Sequence, residues 1–267
     1  LNGGQARLGP LNALGSRLQR LAHAARANSV EGSRRNIAEH YDLGNELYKL
    51  FLDESWMYSS AVFASPGDSL HAAQLNKLDM LIDQLHLAPG HRLLEIGCGW
   101  GGLAVRAAER TGCSVTAVTI SEEQYAFARE RVARAGLGKR VSVLLRDYRL
   151  LEAPPGGYDA VVSVEMVEAV GHEHLPRFFS VVGAMLRPGG RAVLQVITYK
   201  DEHYDAYCRC SDFIRRHIFP GGHLPCMRVM LDAAARAGMV CLHVRDIGTH
   251  YAETLRHWHA KWRAREA

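Results

Sequence analysis

Two stretches of this chain combine residue types and spacings that could do chemistry. The first is Leu93-Leu94-Glu95-Ile96-Gly97-Cys98-Gly99-Trp100-Gly101-Gly102, an apolar run that enters a glycine-rich turn. Gly97 and Gly99 permit a tight turn and let a ligand approach the backbone where a Cβ would clash. Gly101 and Gly102 are explained equally well by close helix packing. The second stretch is Ser163-Val164-Glu165-Met166-Val167-Glu168-Ala169-Val170-Gly171, an apolar run closing on two acids, with a glycine that lets the chain swing away. Either acid could serve as a ligand, and Glu168 could instead cap a following helix.

Gly97, Gly99 and Gly102 also satisfy the GxGxxG pattern, so a dinucleotide-binding dehydrogenase has to be weighed. Three features favour S-adenosylmethionine instead. Glu95 precedes the first glycine, no clear ribose-binding acid ends the second strand, and Asp147-Tyr148 follows the third. An Asp beside an aromatic there can hold an adenine by its amino group and by stacking. The absence of a GK[ST] sequence excludes a P-loop.

The elements that must position these residues alternate from Pro89 onward. Strands are expected at Arg92 to Ile96, Ser114 to Ile120, Val141 to Arg146, Ala160 to Val164 and Arg191 to Ile197, with a late one at Val240 to Asp246. Helices are expected at Leu103 to Thr111, Glu122 to Ala135, Leu175 to Met185 and Met227 to Ala237. This is an α/β pattern, a doubly wound Rossmann-like parallel sheet, whose ligands sit outside the carboxyl ends of the strands. Residues 1–88 read as a helical lead-in and lid, and residues 89–267 as the sheet domain. A helical insert at about 200–225 after the fifth strand is placed to roof the second substrate.

Composition bounds the rest. The 267 residues are 48% hydrophobic and 22% charged, an ordinary globular balance. A net charge of +4, spread along the chain, excludes a dedicated nucleic-acid binder but suits an anionic membrane surface. Basic residues do concentrate at the start, where Arg7, Arg17, Arg20, Arg26, Arg34 and Arg35 face only Glu31. Leu11, Leu14, Leu18, Leu21 and Ala25 recur there at helical spacing, so a basic amphipathic helix is expected, docked on its own domain or lying against lipid. No apolar run is long enough to span a bilayer, so a cytoplasmic protein peripheral to the membrane is expected. The start at Leu1 suggests a segment of something longer. The six cysteines show no CxxC pairing and are expected as free thiols. His172, Glu173 and His174, and the pair His257 and His259, give neither HExxH nor a three-ligand set, so no metal is expected.

Several separated stretches resemble the cyclopropane-fatty-acid synthase family, which includes the mycolic acid enzymes. They are Arg34-Arg35-Asn36-Ile37 through His40-Tyr41-Asp42-Leu43-Gly44-Asn45, Leu52-Asp53-Glu54-Ser55-Trp56-Met57-Tyr58-Ser59-Ser60, and the Gly97 turn. Val118-Thr119-Ile120-Ser121 with Gln124, the Glu165 to Gly171 stretch, Phe219-Pro220-Gly221-Gly222 with Leu224-Pro225, and His250-Tyr251 with Thr254-Leu255 complete the set. The insert, with Tyr204-Asp205 and Ser211-Asp212-Phe213-Ile214, is most similar to the plant-type branch.

The resemblance implies that Tyr58, Ser59, Gly97, Thr119 and Gln124 contact S-adenosylmethionine, with Tyr148 beside the adenine. It also implies that Ser60, Glu168, Gln195, Ile197 and Tyr251 hold a bicarbonate ion next to the methyl group. Ser60 replaces the usual cysteine, Gln195 a common histidine and Ala169 another; the first two keep hydrogen-bonding capacity. The implied substrate is an unsaturated acyl chain of a phospholipid at the membrane surface, and a homodimer is compatible. Methyl transfer to an alkene leaves a carbocation, and ring closure requires a base to take a proton from the methyl just delivered. Tyr58, Trp56, Phe213 and Tyr251 could stabilise that cation through their ring faces or simply line an apolar tunnel. Three alternatives remain: a fatty-acid C-methyltransferase giving branched chains, a small-amine N-methyltransferase, and a silent lipid-binding module.

Overall fold

The computed structural model describes Gly32 and residues 44–210, 212–219 and 221–265. The expected basic helix, the Arg34 to Leu43 motif, Ser211 and Pro220 lie outside the described residues. Five parallel strands form one sheet in the order β3-β2-β1-β4-β5. They are β1 (Arg92–Ile96), β2 (Ser114–Thr119), β3 (Val141–Leu145), β4 (Tyr158–Val164) and β5 (Leu186–Gln195). β1 pairs with β2 on one side, Glu95 beside Ala117, and with β4 on the other, Glu95 beside Val162. The chain therefore reverses its direction of winding at β1 and β4, and a crevice opens at their carboxyl ends.

Strands buried on both faces read as nearly continuous apolar runs, which is why β1 and β4 were legible. One face carries α2 (Leu70–Leu85), α3 (Gly102–Thr111) and α4 (Glu122–Arg134), packed through Leu78, Leu81, Ile82, Leu103, Ala107, Ala128 and Val132. The other carries α5 (Leu175–Met185) and α7 (Met227–Arg236), packed through Phe178, Val182, Met230 and Ala233 onto Leu94 and Val161. The lead-in thus does more than cover the site, because α2 is part of the main core. α1 (Asn45–Phe51) and α8 (Gly248–Arg263) close the top through a third cluster that includes Tyr48, Trp100 and Trp258. The insert contributes α6 (Tyr204–Arg209) and a wide turn at Ile214–Ile218.

One expected element is absent. Val240 to Asp246 forms no strand, and Val240, Leu242 and Val244 are 79%, 75% and 59% exposed. Alternating apolar residues set a strand's faces but do not supply a neighbour for its backbone, and among the described residues this run has no ladder partner. β5 also starts earlier than expected, with a bulge where Tyr158 pairs Leu186 and Ala160 pairs Arg191. No helix among the described residues is long and apolar enough to cross a membrane.

Candidate active site

The loop from Leu52 to Phe63 crosses the top of the sheet and is held from two sides. From α2, Gln74 donates to the carbonyls of Ser59 (2.9 Å) and Met57 (3.3 Å), and the Lys77 ammonium donates to Ser59 Oγ at 2.7 Å. From α8, Thr254 Oγ1 accepts from the Ala61 amide at 3.0 Å, and Lys261 donates to the Leu52 carbonyl at 2.6 Å. Gln74 and Lys77 are fully buried on the stripe that also carries Leu70, Ala73, Leu78 and Leu81. Burial lowers Lys77 to about 8, against the pull of Glu165, Asp53 and Glu95. Two polar residues on an otherwise apolar helical face were the sequence signal for this clamp, and sequence reasoning missed it.

At the glycine turn, the amides of Gly97 and Cys98 both donate to the Val118 carbonyl, at 2.9 and 3.0 Å. Gly97 has φ 80°, and a Cβ there would lie 2.6 Å from Met166 Cγ, so the protein itself excludes a side chain. Gly99 has φ 51°, and a Cβ there would meet nothing within 4 Å. Gly101 and Gly102 serve packing: their added Cβ atoms would meet Ala128 at 3.1 Å and the Ser55 carbonyl at 2.6 Å. Glu95 is buried beneath this turn and accepts from the Ala104 amide in the first turn of α3. Burial pushes its carboxyl up to about 8, and its Oε2 has no hydrogen-bond partner.

After β2, Thr119 Oγ1 donates to Gln124 Oε1 at 2.9 Å, and Ser121 caps α4 by accepting from the Gln124 amide. After β3, Asp147 is engaged within the chain. Arg149 reaches both its oxygens, at 2.9 and 2.6 Å, and both side chains are buried. The tight turn at Tyr148–Leu150 folds this partner back onto Asp147. Tyr148 stands edge-on to Phe178 with centroids 5.6 Å apart.

The two acids after β4 take different settings. Glu165 lies at the strand's end with φ 47°, a left-handed conformation uncommon for a side-chain-bearing residue. Its Oε1 accepts from the Ser60 amide (2.9 Å) and from Gln195 Nε2 (2.8 Å), and Tyr251 also bonds this carboxylate. Glu168, in the turn Val167–Ala169, accepts from the Ile197 amide at 2.5 Å through Oε1, while its buried Oε2 has no partner. Burial, and then the charge of Glu165, push Glu168 up to about 8. Glu165 is also raised by burial, but its donors and Lys77 oppose the rise. Burial also raises Tyr58 and Tyr251, with Glu165 adding to both.

Ser60, Glu165, Glu168, Gln195, Ile197 and Tyr251 therefore converge at one end of the sheet. Three of the expected anion holders are occupied within the chain: Ser60 Oγ donates to the Ala61 carbonyl, the Ile197 amide to Glu168, and Tyr251 bonds Glu165. Glu168 Oε2 and Gln195 Oε1 are buried without partners. The four aromatics do not form one cage. Trp56 packs on Phe127 with centroids 4.5 Å apart, and Phe213 is 66% exposed, leaving Tyr58 and Tyr251 beside Glu165. The left-handed backbone of Trp56, φ 57°, accompanies its placement on α4 rather than over the site.

Comparison with known proteins places the chain in a family. Residues 28–267 match the family model described as mycolic acid cyclopropane synthetase. Tuberculostearic acid methyltransferase of Mycobacterium tuberculosis is 43% identical over 89% of this chain and 57% of its own length. Cyclopropane-fatty-acyl-phospholipid synthase of Escherichia coli K12 is 38% identical over 85% of this chain and 56% of its own. The chain spans about half the length of these curated relatives. The crystal structure of a mycolic acid cyclopropane synthase complexed with SAH and CTAB superposes with a TM-score of 0.81 and 32% identity, covering 88% of this chain and 84% of that one. The chain belongs to the mycolic acid cyclopropane synthetase family.

Proposed function

We propose that this protein transfers the methyl group of S-adenosylmethionine to the double bond of an unsaturated fatty acyl chain. The supporting observation is the pair of buried, partnerless oxygens, Glu168 Oε2 and Gln195 Oε1, beside the glycine turn at the sheet's switch point. An amine acceptor carries its own nucleophilic lone pair and needs only positioning. An alkene leaves a cation that must lose a proton, so a site for it needs a proton acceptor next to the methyl.

Gly99, the 58–60 loop and the Thr119–Gln124 pair are placed to hold S-adenosylmethionine, which supplies an activated methyl when bound. A carboxyl pushed up to about 8 carries its proton at neutral pH, so Glu168 acts as a donor through Oε2. A protonated Glu168 and the Gln195 carbonyl oxygen together fit an anion that carries one proton, as bicarbonate does. Bicarbonate would supply the proton acceptor. Glu165 is held by Ser60, Gln195 and Tyr251 and orients those groups.

One alkene carbon would take the methyl as its bond to the sulfonium sulfur breaks and the thioether leaves, and the neighbouring carbon becomes cationic. Loss of a methyl proton with bond formation to that carbon gives a cyclopropane. A 1,2-hydride shift before the same proton loss gives a methylene branch. Both products are heavier by CH2 and both need the same acceptor. Ring formation in a phospholipid acyl chain is the reading that the E. coli relative supports. The 43% identity to the tuberculostearic acid methyltransferase favours the branch as the second reading. Incubation with labelled S-adenosylmethionine and vesicles of monounsaturated phospholipid tests this. A labelled acyl chain that resists hydrogenation is a ring, and one that takes up hydrogen is a branch. Methylation of soluble amines with untouched vesicles would overturn the acyl reading.

A further inference from the structure

We propose that His172, Cys208 and His223 form a binding site for a zinc-class divalent ion that ties the insert to the loop carrying Glu168. The three side chains come from three separate pieces of chain: the turn His172–His174 after β4, helix α6, and the segment leading into α7. Each offers one ligand atom, and these atoms all lie within 4.8 Å of one another. Cys208 Sγ is 3.8 Å from His223 Nε2. Ligand atoms around a tetrahedral zinc with bonds of about 2.0–2.3 Å stand roughly 3.3–3.8 Å apart, so closing the set requires shifts of about 1 Å. Two imidazoles and a thiol are the donors that a borderline-soft ion selects over magnesium or calcium.

Tyr204 organises the cluster. Its buried hydroxyl lies 2.7 Å from His172 Nδ1 and 2.9 Å from His223 Nε2, so it gathers the two imidazoles, and an ion would displace it from His223 Nε2, the nitrogen that also faces Cys208 Sγ. His172 and Cys208 are exposed and His223 is buried, so an ion can enter from solvent and meet an internal ligand. The His223 amide donates to the Glu168 carbonyl at 2.7 Å, so an ion here fixes the insert against the residue placed at the centre of the reaction. The expectation of no metal rested on histidines adjacent in sequence, whereas these ligands are 36 and 15 residues apart. The other candidate cluster, Asp53, Glu54 and His71, contains no sulfur.

Cobalt(II) titration of the whole chain under reducing conditions tests the site independently of methyl transfer. The expected result is one bound ion per chain, visible d–d bands of a tetrahedral centre and a thiolate-to-cobalt charge-transfer band, all displaced by zinc. Cys208→Ser should abolish the charge-transfer band. His172→Gln, an exposed change that leaves the core intact, should weaken binding, with unchanged far-ultraviolet circular dichroism confirming the fold. A charge-transfer band that persists in Cys208→Ser, binding unaffected by His172→Gln, or an octahedral spectrum without sulfur character would each overturn the proposal.

Discussion

Replacing Glu168 by glutamine separates charge from shape at the centre of the site. The carboxamide keeps an oxygen to accept from the Ile197 amide and places a donor where the partnerless Oε2 stands, so it copies the protonated acid. Glu168 titrates ordinarily at 4.5 and in the folded protein at about 8. Between those values the folded state binds the proton and the unfolded state does not, so stability falls as pH rises through that window. Each pH unit there costs the folded state about 1.4 kcal/mol. The cost is near zero below pH 4.5 and reaches about 3 kcal/mol at pH 7. Glu168→Gln should therefore match the parent near pH 4.5 and exceed it by about 3 kcal/mol at pH 7, or roughly 6–12 °C in Tm for a domain of this size. Urea titrations of both proteins at pH 5, 6, 7 and 8 provide the check. Glu95, also pushed up to about 8, contributes the same sign to both curves and cancels in their difference. Parallel curves across this range, or a variant less stable at pH 7, would refute the claim that Glu168 is buried as a neutral acid.

Three further substitutions address the surroundings. Lys77→Met removes the donor to Ser59 Oγ and leaves a buried hydroxyl short of a partner; we expect a loss of about 1–3 kcal/mol in chemical denaturation and weaker S-adenosylmethionine binding by calorimetry. Gly99→Ala meets no protein atom, so it should cost about 1 kcal/mol of stability while reducing cofactor affinity at least about tenfold, or 1.4 kcal/mol. Gly97→Ala should cost more stability because of Met166, and Met166→Ala should restore part of it in a double-mutant cycle. Thr254→Val strands the buried Ala61 amide and should cost about 1–3 kcal/mol, read as a lower urea midpoint.

The sheet was legible because β1, β2 and β4 are apolar runs separated by amphipathic helices, and because the Gly97 turn sits where a strand must hand over to a helix. The strand expected at Val240 to Asp246 failed for a reason periodicity cannot register, since it records which face is apolar but not whether a neighbouring backbone exists. Within the site, Glu168 was singled out by its place after the fourth strand, and Gln195 and Tyr251 through the family resemblance. The role of Glu165 was not, because it depends on a left-handed backbone and on Ser60, 105 residues away. Lys77 was visible only as a charge on an apolar stripe, and its partner Ser59 belongs to a loop that no local pattern connects to α2. The same limit applies to the Arg149 partner of Asp147, which depends on how the turn after β3 folds back.

Glu165 and Glu168 are three residues apart, and burial raises both, but their partners differ. Glu165 has donors from Ser60, Gln195 and Tyr251 and the nearby Lys77 charge, all of which favour its ionised form. Glu168 has only backbone donors, from Ile197 and its own amide, against burial and the repulsion of Glu165. Burial raises both carboxyls and each charge opposes the other, so ionising one disfavours ionising its neighbour. On the proposed reading, this keeps a donor at Glu168 for the anion, and raising the pH through about 8 turns that donor into a repelling charge. Acyl methylation at saturating S-adenosylmethionine and constant bicarbonate should then hold steady below pH 8 and fall about tenfold per pH unit well above it. Glu168→Gln should retain activity within about tenfold and lose that alkaline fall, whereas Glu168→Ala should lose activity across the range. An alkaline limb that survives unchanged in the glutamine variant would assign the titration to another group, and an inactive glutamine variant would show that the reaction needs the Glu168 charge rather than its proton.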